Sequence, residues 1–131
     1  MLLLNYITTG IPEENQEHLQ ILRYEKGQFY NAHNDFIEED LNRLHGVRIL
    51  TFYLYLSDVE EGGETRFPRI GLAVKPKTGR AVLWPSIFND RPSENDIRSD
   101  HQAMPVIKGE KYGLNAWYHL RKFKGLPNEC L

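Results

Sequence analysis

The fold class that this sequence predicts is all-β: a double-sheet jelly roll (double-stranded β-helix) of about eight strands with little helix. Three observations predict it. Short runs rich in aliphatic, aromatic and β-branched residues recur along the 131 residues, separated by Gly, Pro, Asn and Asp clusters. One of these runs, "VRILTFYLYLS", alternates with a period of two. Helical periodicity is scarce. Many short strands with few helices fit two packed sheets, an architecture that carries ligands between its layers.

In chain order, residues 1–18 carry little periodic pattern and read as a partial N-terminal segment, and "PEENQEHLQ", which runs across its end, can form a helical turn or two with Pro12 at the first position. Strands are expected over 19–25 and 29–36, divided by the turn "EKGQ", and "EEDLNRL" can form a further helical turn. The strand expected over 47–57 is the most informative. Leu50, Phe52, Leu54 and Leu56 point one way, and Thr51, Tyr53, Tyr55 and Ser57 the other. It is either a core strand with an ordinary amphipathic outer face or a strand whose hydroxyl face lines a polar cavity. After "EEGGE" come expected strands over 63–67 and 72–76, and after "PKTGR" one over 79–85. Residues 86–100, "SIFNDRPSENDIRSD", form a long polar loop, expected to close over a substrate or to be a solvated insertion. The last strands, 101–107 and 111–120, flank "KGEK". No repeat or linker interrupts the chain, so the expectation is one domain over 1–131 with its jelly-roll core at 19–123.

Bulk properties exclude some classes. A net charge of −2 and a pI near 6.2 provide no basic field to recruit nucleic acid or anionic lipid. Cys130 is the single cysteine, so no internal disulfide is possible, which suits a reducing compartment. "MLLLNY" lacks the features of a signal peptide, and no stretch approaches the roughly 20 apolar residues of a membrane span. The expectation is a soluble chain, cytoplasmic unless it is a piece of an ER-lumen protein.

Candidate chemistry starts at "GQFYNAHNDFIEED". His33 and Asp35 are two apart, so on a strand they share one face and can hold one ion. A His-x-Asp arises by chance about one time in four at this composition, and a third ligand must come from a neighbouring strand. His18 and His45 fall in expected loops, whereas His101 opens a strand and is the best candidate. Two His and one carboxylate leave coordination positions open, as in non-haem Fe(II) oxygenases rather than closed zinc sites. Ten residues on, Lys111 opens the last strand. It either snorkels to solvent or faces inward, where its ammonium needs an acidic partner. A flat hairpin would set His101 and Lys111 roughly 20 Å apart, so one small molecule could touch both only if their strands face each other across a gap of about 10 Å.

Four pieces in order, "TGIPEENQEHLQILRYEKGQFYNAHND", "RILTFYLYLSDVEEGGETRFP", "VKPKTGRAVLWPS" and "HQAMPVIKGEKYGLNAWYH", make residues 10–123 resemble the catalytic domain of the prolyl 4-hydroxylases among the Fe(II)/2-oxoglutarate dioxygenases. The resemblance implies His33, Asp35 and His101 as iron ligands and Lys111 as partner of the distal carboxylate of 2-oxoglutarate. It implies Tyr24 and Thr65 as further cosubstrate contacts and Tyr55 as a cavity residue beside them. Tyr30, Arg48, Trp117, His119 and Glu17 match positions that line the peptide groove. It also implies O2 as oxidant, ascorbate as reductant, succinate and CO2 as products, and a proline-containing peptide or protein as substrate. The family's domain carries N-terminal supporting elements that residues 1–18 do not supply. Tyr112 stands where Trp is commoner and Asp100 where Leu is commoner. The rival readings are the same iron chemistry on a lysyl, free amino acid or nucleobase substrate, a non-catalytic metal-binding jelly roll, and a hydrolase, for which no nucleophile motif is present.

Overall fold

The computed structural model describes residues 9–126, and Cys130 and the leucines of "MLLL" lie outside them. Ten strands pair antiparallel throughout: β1 Gln20–Tyr24, β2 Tyr30–His33, β3 Arg48–Tyr55, β4 Glu61–Gly62, β5 Thr65–Phe67, β6 Leu72–Val74, β7 Ala81–Pro85, β8 His101–Ala103, β9 Val106–Lys108 and β10 Lys111–His119. One four-stranded sheet has the order β1-β10-β3-β7 and the other β2-β8-β5-β6, with β4-β9 as a small ribbon. The jelly roll expected from the strand runs is present.

Two expected runs are altered. The run over 63–67 shortens to β5, with β4 a separate short strand before it, because Gly62 and Gly63 both take positive φ and turn the chain there. The run over 101–107 becomes β8 and β9, which join different sheets. Pro105 has no N–H to give to a ladder and lies at the break. The helical turns are all 3-10, at Glu13–Asn15, Glu38–Asn42, Pro68–Ile70 and Ile97–Ser99. Pro12 caps the first of them instead of occupying its first position. Among the described residues no helix is long and apolar enough to cross a membrane.

The hydroxyl face of β3 turns inward between the sheets, where Tyr53 borders the cavity and Tyr55 belongs to the core behind it. Tyr53 and Tyr55 are buried with Trp84 of β7 and with Phe67 of the opposite sheet. On the other face Phe52 packs with Ala116 and Tyr118 of β10, and Ile11 lies over them. Each such buried aromatic contributes roughly 1.5–3 kcal/mol. Gly113 of β10 leaves room for this arrangement: a Cβ there would collide with the Tyr53 hydroxyl, which sits over bare backbone.

Residues 86–100 fold on themselves through an Ile87–Asn95 bridge and an Asp96 N–H donated to Ser86 O at 2.9 Å. The Asn34 amide, between the two residues of the His-x-Asp pair, donates towards Asp96 O, Ser99 Oγ and Asp100 Oδ1 at 3.1–3.2 Å. This segment therefore braces the approach to His101, and none of its residues borders the main cavity.

Candidate metal centre

His33 ends β2 and His101 opens β8, and the two strands pair with these residues directly opposite each other. Their rings lie 4.4 Å apart. Asp35, just past β2, completes the group: its Oδ1 is 3.8 Å from His33 Nε2 and its Oδ2 is 3.7 Å from His101 Nε2. One ligand atom from each of the three lies within 4.8 Å of the others. His33 Nδ1 donates to Asn31 O at 2.8 Å, and His101 Nδ1 donates to Ser99 O at 2.9 Å. A carbonyl only accepts, so both Nδ1 atoms carry the proton and both Nε2 lone pairs face the carboxylate. Burial pushes the His101 imidazole below its ordinary range, against the opposing pull of Asp35, which favours the neutral ring a metal needs.

Two residues not singled out individually as site residues from the sequence hold Asp35. Thr51 Oγ1 donates to Asp35 Oδ2 at 2.5 Å, and Trp84 Nε1 donates to the same oxygen at 3.2 Å. Thr51 and Trp84 are register partners across β3 and β7. The hydroxyl face of β3 signals Thr51, whereas Trp84 requires the strand pairing, which the sequence does not display.

His101 and Lys111 stand in different sheets and line one cavity of about 370 Å³, which meets the demand that their strands face each other. Lys111 is 1% exposed, and its Nζ lies 5.2 Å, 5.4 Å and 5.5 Å from the ring centroids of Tyr24, Tyr53 and Tyr55. Burial lowers its pKa to about 8, with the charge of Glu64 acting the other way. Among the described residues no carboxylate pairs with it. Tyr24 and Thr65 also line the cavity, but Tyr55 does not; its hydroxyl hydrogen-bonds Thr65 Oγ1 at 2.6 Å.

At the cavity's other margin, exposed Tyr30 sets its ring edge-on to His33, 4.3 Å away. Arg48 lies over the Trp117 ring at 3.9 Å, and both border the cavity. Glu17 and His119 do not border it. Glu17 takes two hydrogen bonds from Arg48, at 2.6 Å and 3.1 Å, and a third from His119 Nε2 at 2.7 Å. Burial raises the Glu17 carboxyl, but these bonds outweigh it and the net direction is down. His119 is 1% exposed and follows a bulge between Tyr118 and His119, which interrupts the alternation that aims Lys111 and Trp117 inward. Gln20, Asn115 and Tyr53 also line the cavity, and none stood out individually in the sequence. The charge that Asp100 adds beside His101 is taken up by Arg69 at 3.2 Å.

The 2OG-Fe(II) oxygenase superfamily matches residues 19–119. Over 92% of its length the chain is 40% identical to probable prolyl 4-hydroxylase 7 of Arabidopsis thaliana, of which it covers 44%. It is 41% identical over 86% of its length to prolyl 4-hydroxylase subunit alpha-2 of Gallus gallus, covering 21% of that protein. The chain thus spans less than half the length of these curated relatives. Among solved structures it resembles a viral collagen prolyl hydroxylase of Paramecium Bursaria Chlorella virus-1 in its 2OG complex. The TM-score is 0.75 at 32% identity, over 92% of this chain and 68% of that one.

Proposed function

The chain belongs to the 2OG-Fe(II) oxygenase superfamily, and we propose that it is a prolyl 4-hydroxylase acting on proline-containing peptides or proteins. The observation that carries this reading is a single cavity with two complementary ends. At one end stand His33, Asp35 and His101; at the other, the buried Lys111 ammonium stands without a carboxylate partner among the described residues. The donor set fits Fe(II), because two neutral imidazoles and one carboxylate leave positions for a cosubstrate and O2. The unpaired ammonium fits the far carboxylate of 2-oxoglutarate.

In this reading His33 and His101 hold the iron through Nε2 and Asp35 holds it through its carboxylate. When bound, iron supplies the redox chemistry that couples decarboxylation of 2-oxoglutarate, with O2, to hydroxylation of a prolyl ring carbon, giving succinate and CO2. Ascorbate is the reductant that keeps the metal ferrous. Lys111 binds the distal carboxylate by charge-assisted hydrogen bonds, with Tyr24 and Thr65 beside it, and Tyr55 fixes the Thr65 hydroxyl. Thr51 and Trp84 keep Asp35 from rotating. Tyr30, Trp117 and Arg48 form an aromatic and cationic mouth that suits an extended, polyproline-like peptide. Glu17 and His119 act one layer back, holding Arg48 flat on Trp117.

The test is succinate release from the purified chain supplied with Fe(II), ascorbate and 2-oxoglutarate. A proline-rich peptide raises the rate and the same peptide with Ala for Pro does not. His33→Ala lowers it by more than the about 100-fold typical of outer-shell changes. If no proline-containing peptide raises succinate above the peptide-free rate, the prolyl reading is wrong.

A further inference from the structure

A second group of metal-binding side chains lies outside the cavity. Asp40 belongs to the 3-10 turn Glu38–Asn42, His45 precedes β3, and His119 ends β10. One potential ligand atom from each lies within 4.8 Å of the others, with Asp40 and His119 buried and His45 half-buried. We propose that Asp40, His45 and His119 form a second divalent-metal site, selective for a borderline ion such as Zn(II) or Co(II).

The hydrogen-bond inventory leads there. Glu17 is already gripped by Arg48 through both oxygens and can only accept, so His119 Nε2 carries the proton of their 2.7 Å contact. On its other side His119 Nδ1 faces Gly46 O at 2.5 Å and His45 Nδ1 at 3.0 Å, and His45 Nδ1 also faces Gly46 O at 2.8 Å. Two ring nitrogens and a carbonyl thus converge beside the Asp40 carboxylate, a set of donor atoms that one cation can gather.

The surroundings have the form of a metal site. A ligating histidine usually donates its other nitrogen to a carboxylate, and His119 does so to Glu17. The first centre uses the same device with the carbonyls of Asn31 and Ser99. Gly46 takes φ +70°, and a Cβ there would approach Leu120 Cβ to 3.2 Å, so glycine permits the turn that brings its carbonyl to the cluster. Phe123 stacks on His119 at 4.8 Å and stands 5.1 Å from His45, which screens the group from water. Two cations are nearby. Arg43 reaches Asp40 Oδ1 at 3.2 Å from the surface, leaving the other oxygen for a metal, while Arg121 is spent on the carbonyls of Leu44 and Arg43. Two imidazoles with one carboxylate suit Zn(II) or Co(II) and disfavour Mg(II) or Ca(II), which take oxygen sets.

The experiment counts metal by equilibrium dialysis of the full chain against Zn(II) after chelator treatment. Wild type is expected to hold two equivalents, His33→Ala one, His45→Gln one, and the double variant none. Circular dichroism verifies that His45→Gln is folded. A second readout leaves His45 intact: Zn(II) raises the melting temperature of the His33→Ala chain and does not raise that of the double variant. One equivalent in wild type, a second equivalent retained by His45→Gln, or no Zn(II)-dependent rise in His33→Ala overturns the site. None of these readouts involves succinate, so this site and the prolyl reading fail separately.

Discussion

At the His33–Asp35–His101 end of the cavity each donor has a further hydrogen bond that holds it, whereas at the far end the Lys111 ammonium lies among three tyrosine rings with no carboxylate paired to it among the described residues. The first end is ordered before any ligand arrives. The carbonyls of Asn31 and Ser99 fix the imidazole tautomers, and Thr51 and Trp84 fix the carboxylate. The second end keeps a desolvated charge unsatisfied, so an arriving carboxylate gains an interaction that folding has not already made. The comparison teaches that one end is built for geometry and the other for affinity.

Lys111→Met attacks the affinity end. A charge-assisted hydrogen bond contributes roughly 1.5–3 kcal/mol, so the KM for 2-oxoglutarate should rise about 10- to 100-fold. Met is similar in volume and needs no counter-charge, so the melting temperature of the ligand-free chain should rise or stay level. A fall in melting temperature with unchanged KM would show Lys111 to be structural.

pH separates the two effects again. In the folded chain the Lys111 pKa is lowered to about 8 from its ordinary 10.5. Below pH 8 the lysine is protonated in both folded and unfolded chains, and the penalty for burying the charge is present in full. Between pH 8 and 10.5 the unfolded chain binds more protons, so this group makes stability rise with pH, by up to about 3 kcal/mol. Cosubstrate affinity runs the other way, falling about tenfold per pH unit above 8 as the ammonium is lost. Burial raises the neighbouring Tyr24, Tyr53 and Tyr55 hydroxyls above the ordinary tyrosine range, so they stay neutral up to pH 9, and the charge of Glu64 opposes the shift of Lys111. Urea unfolding and KM measured at pH 7.5 and 9 should therefore diverge in the wild type and lose that divergence in Lys111→Met.

What the sequence revealed of the site follows the range of each interaction. His33 and Asp35 are two residues apart on one strand end, so local spacing brings them together. The alternation of β3 placed Thr51, Tyr53 and Tyr55 on one face without saying which side was interior; contact with Phe67 of the other sheet settles that. The strand expected over 101–107 runs through Pro105, so neither the break there nor the pairing of β9 with β4 was anticipated. Long-range register and a bulge are harder still. Trp84 meets Asp35 through the β3–β7 pairing, and His119 turns from the cavity at an irregularity in β10 that no local pattern marks.

The smallest expected effect tests the geometry end where it is most specific to this packing. Asp35 Oδ2 takes a 2.5 Å bond from Thr51 and a 3.2 Å bond from Trp84, so the two supports are unequal. Trp84→Phe keeps most of the aromatic packing against Phe67 and His101 and removes only the longer bond. Co(II) affinity at the first centre should then fall only a few-fold, whereas Thr51→Val should cost it about 10- to 100-fold. The Co(II) ligand-field spectrum should shift more for Thr51→Val than for Trp84→Phe, because the carboxylate is freer to rotate. A Trp84→Phe loss equal to that of Thr51→Val, with both chains folded, would mean that the indole rather than the hydroxyl sets the Asp35 orientation. The KM for 2-oxoglutarate should move little in either variant if the two ends of the cavity are as separable as their hydrogen bonding indicates.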